Sequence, residues 1–551
     1  MAEKAKAEGN NFVKKLLSSN LTWSIVAFIL LVIICTIFQH DFLALSWNSN
    51  TGGLAGPLIT MLQESARYLM IATGMTLVIS TAGIDLSVGS VMAVAGAAAM
   101  QTLSNGMNVW LSILIALAVG LAIGCVNGAL VSFLGLQPFI TTLIMMLAGR
   151  GMAKVITSGE NTDASAVAGN EPLKWFANGF ILGIPANFVI AVIIVILVGL
   201  LCRKTAMGMM IEAVGINQEA SRMTGIKPKK ILFLVYAISG FLAAIAGLFA
   251  TASVMRVDVV KTGQDLEMYA ILAVVIGGTS LLGGKFSLAG SAVGAIVAIT
   301  AVVGLKLANA GVPAFLVMII MLLIGAVFGL LAGTLIEEFN MQPFIATLST
   351  MFLARGLASI ISTDSLTFPQ GNDFSFISNV IKIIDNPKIS NDLSFNVGVI
   401  IALVVVVFGY VFLHHTRTGR TIYAIGGSRS SAELMGLPVK RTQYIIYLTS
   451  ATLAALASIV YTANIGSAKN TVGVGWELDA VASVVIGGTI ITGGFGYVLG
   501  SVLGSLVRSI LDPLTSDFGV PAEWTTIVIG LMILVFVVLQ RAVMAVGGDK
   551  K

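Results

Sequence analysis

Charge is what this sequence has least of. Only 10% of its 551 residues are Asp, Glu, Lys or Arg, whereas a soluble protein needs roughly 25% to keep its surface wet. That deficit excludes the string of soluble domains that the length alone would suggest. Thirty-one Lys and Arg against twenty-six Asp and Glu leave a net charge of +5, too small and too scattered for a nucleic-acid footprint. Cysteine is nearly absent: Cys35, Cys125 and Cys202 lie in or beside apolar runs, with no metal or redox spacing. Three histidines, two of them the adjacent His414 and His415, leave little for a metal site, and no metal or cofactor is expected. What the chain has instead is apolar bulk, 57% of all residues, together with 59 glycines. Mean hydropathy is +0.97.

A chain this apolar faces lipid, where every backbone polar group must be satisfied internally. Barrel strands would alternate with period two, and these runs are continuous, so the expected fold is all-α, a polytopic transmembrane helical bundle. About sixteen runs meet the ~20-residue rule, some short or broken. Their cores are 22–38, 66–81, 88–103, 109–134, 138–157, 185–202, 231–253, 269–284, 287–306, 313–335, 343–362, 396–413, 443–464, 478–492, 498–512 and 523–541. Lys4, Lys6, Lys14 and Lys15 precede the first run and place the N-terminus in the cytoplasm. By parity the basic loops after the sixth and twelfth spans (Arg203 to Lys230, Arg417 to Arg441) are cytoplasmic too, as is the C-terminus. Segments 158–184 and 363–395, with Glu160, Asp163, Glu171, Asp364, Asp373 and Asp385, then face outward. No A-x-A-like cleavage site follows the first run, so it reads as a span and not as a signal peptide.

The sequence matches itself. Gln137-Pro138-Phe139-Ile140 recurs as Gln342-Pro343-Phe344-Ile345, and Arg150-Gly151 as Arg355-Gly356. Gly208-x4-Ala213-x-Gly215, closed by Gly225, recurs as Gly419-x4-Ala424-x-Gly426, closed by Gly436. Val274 to Thr279 recurs as Val484 to Thr489, and Gly283-Gly284 as Gly493-Gly494. Blocks in one order at a near-constant shift mark a parallel internal duplication. The copies are unequal. The first, 1–295, lacks a counterpart of the last span; the second, 296–551, lacks the first three. Gly83 to Ser90 (GIDLSVGS) occurs once, and Leu288 to Ser291 resembles its end. A crossover between two related genes would leave such a join.

The polar segment Glu212 to Ile226 is helical in propensity and closed by glycine. It reads either as a solvated linker or as a helix made for a partner's groove; its recurrence favours the groove. Glu212, Ala213, Gly215, Asn217 and Gly225 in one copy, and Ala424, Gly426, Gly427, Ser428 and Gly436 in the other, are the candidate contacts. Together with the GIDLSVGS run, the QPFI-x-TL element and the VVIGGT…GG element, these loops resemble permease subunits of bacterial ATP-binding-cassette (ABC) importers for monosaccharides, of the ribose/galactose type. The resemblance covers nearly the whole chain, and the paired galactofuranose permeases are the nearest likeness. It implies that the loops couple to a separate ATPase, that the outer loops dock a periplasmic or extracellular sugar-binding protein, and that the protein lies in the bacterial inner membrane. A second permease subunit is a further implied partner. The chain itself has no Walker A motif (G-x-x-x-x-G-K-S/T), so any ATP hydrolysis belongs to that partner.

Candidate pathway residues follow from helix breaks, which expose backbone N–H and C=O groups where they line a cavity. They are Gly277, Gly278 and Thr279, repeated as Gly487, Gly488 and Thr489; close helix packing is the competing account of these glycines. Asp85 and Ser87 interrupt an apolar stretch and serve either as a cap or as a substrate contact. Phe139 and Phe344 could stack on a sugar ring or simply pack. Arg150 and Arg355 lie within spans, either snorkelling to an interface or bridging a carboxylate. Glu267 and Glu477 open two short spans, followed by Tyr269 in one copy and Asp479 in the other. Two other readings stay open, an ion-coupled secondary transporter and a non-functional fused remnant. A secondary transporter should repeat its intramembrane carboxylates across the halves, and Asp85 is not repeated.

Overall fold

The computed structural model describes residues 29–37 except 31 and 34, 42–48, 52–276, 293–368, 375–378, 380–384, 393–489, 493–517, 519 and 521–548. The first helices in chain order are α1 (Pro57–Ser80), α2 (Val88–Ser104), α3 (Val109–Ser132), α4 (Pro138–Ile156), α5 (Glu171–Asn178), α6 (Ala186–Lys204) and α7 (Ala206–Ile216). They continue as α8 (Gln218–Met223), α9 (Pro228–Val254), α10 (Leu266–Ile276), α11 (Val293–Asn309), α12 (Ala314–Glu337), α13 (Pro343–Ile361) and α14 (Ser375–Ser378). The last seven are α15 (Val397–His415), α16 (Arg417–Gly427), α17 (Arg429–Leu434), α18 (Val439–Ile465), α19 (Trp476–Ile486), α20 (Val498–Asp517) and α21 (Ala522–Gly548). Among the described residues eight of them, α3, α4, α6, α9, α12, α13, α15 and α18, are long and apolar enough to cross a membrane, and six further helical stretches are apolar over 10–17 residues. The protein is a polytopic helical bundle. Its only strands among the described residues form two-stranded pairs, such as Thr162↔Val257 and Thr367↔Ser467.

Local chemistry accounts for the helix ends. Proline opens α1, α4, α9 and α13, where its missing N–H would have had no partner anyway. Thr205, Asn217, Asn396, Thr416 and Ser428 each accept a backbone N–H from the first turn of the helix they precede. The expected span at 66–81 begins nine residues earlier, at Pro57. Glu64 and Arg67 interrupt the apolar run there, and they neutralise each other one turn apart. The loop expected at 212–226 is likewise two helices, α7 and α8, with an elbow at Asn217, and its repeat bends at Ser428. Of the expected spans, most of 22–38 lies outside the described residues, as do Gly277, Gly278, Thr279 and Leu288 to Ser291.

The repeat is carried by element boundaries. Both ends of α2, α3 and α4 recur 205 residues later in α11, α12 and α13 (88 to 293, 132 to 337, 156 to 361). Both ends of α6, α7, α8 and α9 recur 211 residues later in α15 to α18 (186 to 397, 254 to 465), and those of α10 recur 210 later in α19. The chain falls into two compact units, Met1–Gly284 with Asp512–Val538, and Lys285–Leu511 with Leu539–Lys551.

In the first unit α9 packs on α1, α2 and α3, and α2 on α4. Gly120, Gly124 and Gly128 bring α3 so close to α9 that a Cβ on Gly124 would sit 2.5 Å from the Tyr236 carbonyl oxygen. The second unit repeats this with Gly325, Gly329 and Gly333 of α12 against α18. These six glycines serve close helix packing. Within the second unit α11 packs on α12, α13 and α18, as α2 packs on α3, α4 and α9 in the first. The helix at the join thus makes, within the second unit, the set of contacts that α2 makes within the first.

The first unit also takes in the late segment Asp512–Val538. A Cβ on Gly151 of α4 would lie 2.8 Å from the Ile527 nitrogen of α21, and one on Gly530 would lie 3.2 Å from the Ala148 nitrogen. At Gly356, the counterpart of Gly151 in α13, a Cβ would meet nothing within 4 Å among the described residues.

Candidate functional site

Between α1 and α2 the chain runs through residues 81–87 without regular helix, and this break holds a buried polar network. Asp85 is 2% exposed. Its Oδ1 accepts the Ser87 N–H at 3.0 Å and the Ser87 hydroxyl at 2.6 Å; its Oδ2 accepts the Ser239 hydroxyl of α9 at 2.9 Å. Asn127 of α3 donates to Ser87 Oγ at 2.8 Å, and Thr142 of α4 donates to the Ile84 carbonyl at 3.2 Å. Asp85 therefore holds Ser87, the residue before α2, and ties it to α9, while Asn127 ties the same serine to α3. Ser239 and Asn127 were not legible as partners, because they lie on separate helices. At the positions corresponding to Asp85 and Asn127 the second copy has Gly290 and Ala332. Phe139 and Phe344, 4% and 3% exposed, are packed inside the bundle at the starts of α4 and α13.

Arg150 and Arg355 occupy matching places on α4 and α13. Arg150 donates to the Thr262 carbonyl at 2.6 Å and the Val260 carbonyl at 3.4 Å, gripping the loop that leads into α10, and Glu267 and Asp265 are its attracting charges. Arg355 lies 3.6 Å from Glu477 in the first turn of α19. Both glutamates are almost fully buried. Asp479, two residues after Glu477, pairs with Arg508 of α20 at 3.2 Å. Tyr269, which replaces it in the first copy, makes an edge contact with Tyr68 at 6.1 Å between ring centroids.

α19 spans only 11 residues, about 16 Å at 1.5 Å per residue, roughly half the hydrocarbon core. Gly487 caps it and Gly488 takes φ +89°, a left-handed turn that suits glycine. Gly487 also lies against the Gly500 backbone of α20, so it serves packing as well as the break. Thr489 directly follows the turn.

The two loop pairs, α7–α8 and α16–α17, are built alike but fastened differently. Gly215 of α7 rests on the Ser80 carbonyl at the end of α1, the entry to the Asp85 break. Gly426 of α16 rests on Gly494, where a Cβ would be 2.6 Å from its nitrogen, and Tyr423 donates to the Gly496 carbonyl at 2.7 Å. His414 stacks on Tyr423 and Tyr497. Glu212, Asn217 and Gly225 are exposed in the first loop, and Gly427 and Gly436 in the second; Ala213, Ala424 and Ser428 are half-buried.

The second loop is clipped by charge. Arg429 makes two 3.0 Å bonds to the buried Glu337 carboxylate at the end of α12 and a third to Glu433. Burial works against its charge, but the two carboxylates outweigh that and hold its proton more tightly than usual. Lys440 pairs with Glu338 at 2.8 Å, and its hydrogen bond keeps that carboxyl below the usual range. The first copy has Ser132, Phe133, Gln218 and Lys229 at the corresponding positions, and Phe133 packs on Phe233 at 5.8 Å. Among the described residues no group of three or more His, Cys, Asp or Glu could hold a metal ion.

Comparison with known proteins accords with this architecture. The chain is 99% identical over 297 residues to the fructose import permease protein FruF of Bifidobacterium longum, covering 54% of this chain and 83% of the relative. It is 48% identical over 247 residues to the galactofuranose transporter permease protein YtfT of Escherichia coli K12 (45% and 71%). To the ribose import permease protein RbsC of the same strain it is 36% identical over 274 residues (50% and 82%). No solved structure matches. The family described as "Branched-chain amino acid transport system / permease component" matches twice, over residues 58–301 and 290–537, so both matches include the join at 290–301. The chain thus belongs to this family of transport permeases, of which it carries two copies.

Proposed function

We propose that the chain is the membrane path and lever of an ABC importer for a monosaccharide, with fructose the first sugar to test. The fructose, galactofuranose and ribose permeases that it matches support the substrate class. One observation carries the mechanism: the α16 loop is joined directly to the segment that leads into α20, through Gly426 on Gly494 and Tyr423 on Gly496. A separate ATPase gripping α7–α8 and α16–α17 from the cytoplasm would pull on α16, and the joint would pass that pull to segment 493–497 without a flexible link. On the first copy α7 pushes on the end of α1, beside the Asp85 break. Both termini are cytoplasmic in this reading, and segments 158–184 and 363–395 receive the sugar-binding protein outside.

The two copies divide as a first permease, α1 to α10, completed by α21, and a shortened second running from α11 to α20. Asp85 argues against ion coupling, since both its oxygens already accept hydrogen bonds and its counterpart is Gly290. The test is reconstitution of the full chain with the ATPase and binding protein of the same system. Fructose-loaded binding protein should raise ATP hydrolysis and drive uptake without an ion gradient. Hydrolysis indifferent to the loaded binding protein, with uptake that follows a proton or sodium gradient, would overturn the proposal.

A further inference from the structure

Where α15 meets α16, the second unit has a cavity of about 760 Å³ lined by Arg417, Arg420 and Arg441, by Thr418 and Thr421, and by an apolar wall that includes Leu437, Pro438 and Ile445. We propose that this cavity binds the phosphate-bearing headgroup of an anionic membrane lipid, with the apolar wall receiving the start of its acyl chains.

The charge pattern within the loop supports this. Arg429 and Lys440 are each satisfied by carboxylates. Among the described residues, Arg417, Arg420 and Arg441 have no acidic partner. All three are exposed and converge on one cavity at the polar end of a span. Thr421 donates to the Arg417 carbonyl, so the guanidinium forks are left as the donors for an anion. α16 begins there as well and adds the partial positive charge of its first turn. The first copy holds the same backbone with different chemistry: Ala206, Met207, Met209 and Met210 stand where Arg417, Thr418, Arg420 and Thr421 do, and Lys230 stands for Arg441. One copy thus has an apolar elbow and the other a basic pocket. A span end with a basic pocket is where an anionic headgroup lies within a Debye length of the surface.

The probes are phosphatidylglycerol, phosphatidylcholine and inorganic phosphate, added to the full chain in detergent. Native mass spectrometry reads bound lipid, and thermal unfolding reads protection. Phosphatidylglycerol should bind and raise the unfolding midpoint, whereas phosphatidylcholine should not. Arg420→Gln and Arg441→Gln should each weaken phosphatidylglycerol binding about fivefold, on the order of 1 kcal/mol per arginine, and Lys230→Gln in the first copy should leave it unchanged. These substitutions sit on exposed side chains, so the variants should fold. Equal protection by inorganic phosphate would assign the cavity to a soluble anion and overturn the lipid proposal. So would unchanged phosphatidylglycerol binding in both arginine variants, including the case where they lose only their grip on the ATPase.

Discussion

Asp85 shows what a single carboxylate does at depth in this bundle. It accepts three hydrogen bonds, from two residues on different elements, and removing it takes away the acceptor of the Ser239 hydroxyl and of the Ser87 N–H and hydroxyl. Membrane hydrogen bonds average about 0.6 kcal/mol each, so losing three in Asp85→Ala should cost about 2 kcal/mol, and Asp85→Asn, which keeps one acceptor oxygen, about half that. Thermal unfolding of the purified chain checks both. Arg429→Gln tests a different residue-scale bond. It strands the buried Glu337 carboxylate, with a loss of about 1–2 kcal/mol once the partial exposure of Arg429 is allowed for. The Lys440–Glu338 pair is open to water, so its effect is one of direction only. The Glu338 carboxyl is held low, so its contribution is present above the unfolded carboxylate pKa of about 4.3 and fades as pH falls through the lower folded value. In Lys440→Met that acid-side loss should vanish from a thermal titration.

At the scale of elements, the joint between α16 and segment 493–497 makes the sharpest prediction. Gly426→Leu would drive a side chain into the Gly494 backbone, and Tyr423→Phe would remove the bond to the Gly496 carbonyl. Gly426→Leu should abolish uptake, and Tyr423→Phe should lower it several-fold, while the ATPase still co-purifies with Tyr423→Phe. Transport assays and pull-down on the same preparations separate lost coupling from lost docking. The helices themselves were legible, because continuous apolar runs of membrane length permit little else: α3, α4, α6 and α12 lie within about two residues of the expected boundaries. Where charge is cancelled locally the signal failed, as at Glu64 and Arg67 in α1. The elbows at Asn217 and Ser428 were missed because side-chain caps break a helix without any change in apolarity. Arg150 and Arg355 stand out in the sequence as charges inside spans. Their grips on the α10 loop and on Glu477 join distant parts of the chain, and nothing in the local spacing reveals such contacts.

The division of copies proposed above predicts that α21 lies on α4 and not on α13. In a background without the three native cysteines, Ala148→Cys with Gly530→Cys should form a disulfide on oxidation, since a Cβ at 530 lies 3.5 Å from that of Ala148. Leu353→Cys with Gly530→Cys, the matching pair on α13, should not. Gel mobility under oxidising conditions decides between them. A cross-link at 353 instead of 148 would return the last span to the second copy. The duplication was legible from repeated motifs. The constant register of the helix ends across the join was not, because it is a property of element boundaries and not of a motif.

The reach of α21 back to α4 has a consequence for biogenesis. Residues 285–511 are made between the two parts of the first unit. At about 5–20 residues per second, the Gly151 face of α4 waits for its cover for about 10–45 s while the ribosome makes the second permease. The unit that begins first is therefore completed only after nearly all of the other has been made, and premature release anywhere in that window leaves the Gly151 face of α4 uncovered.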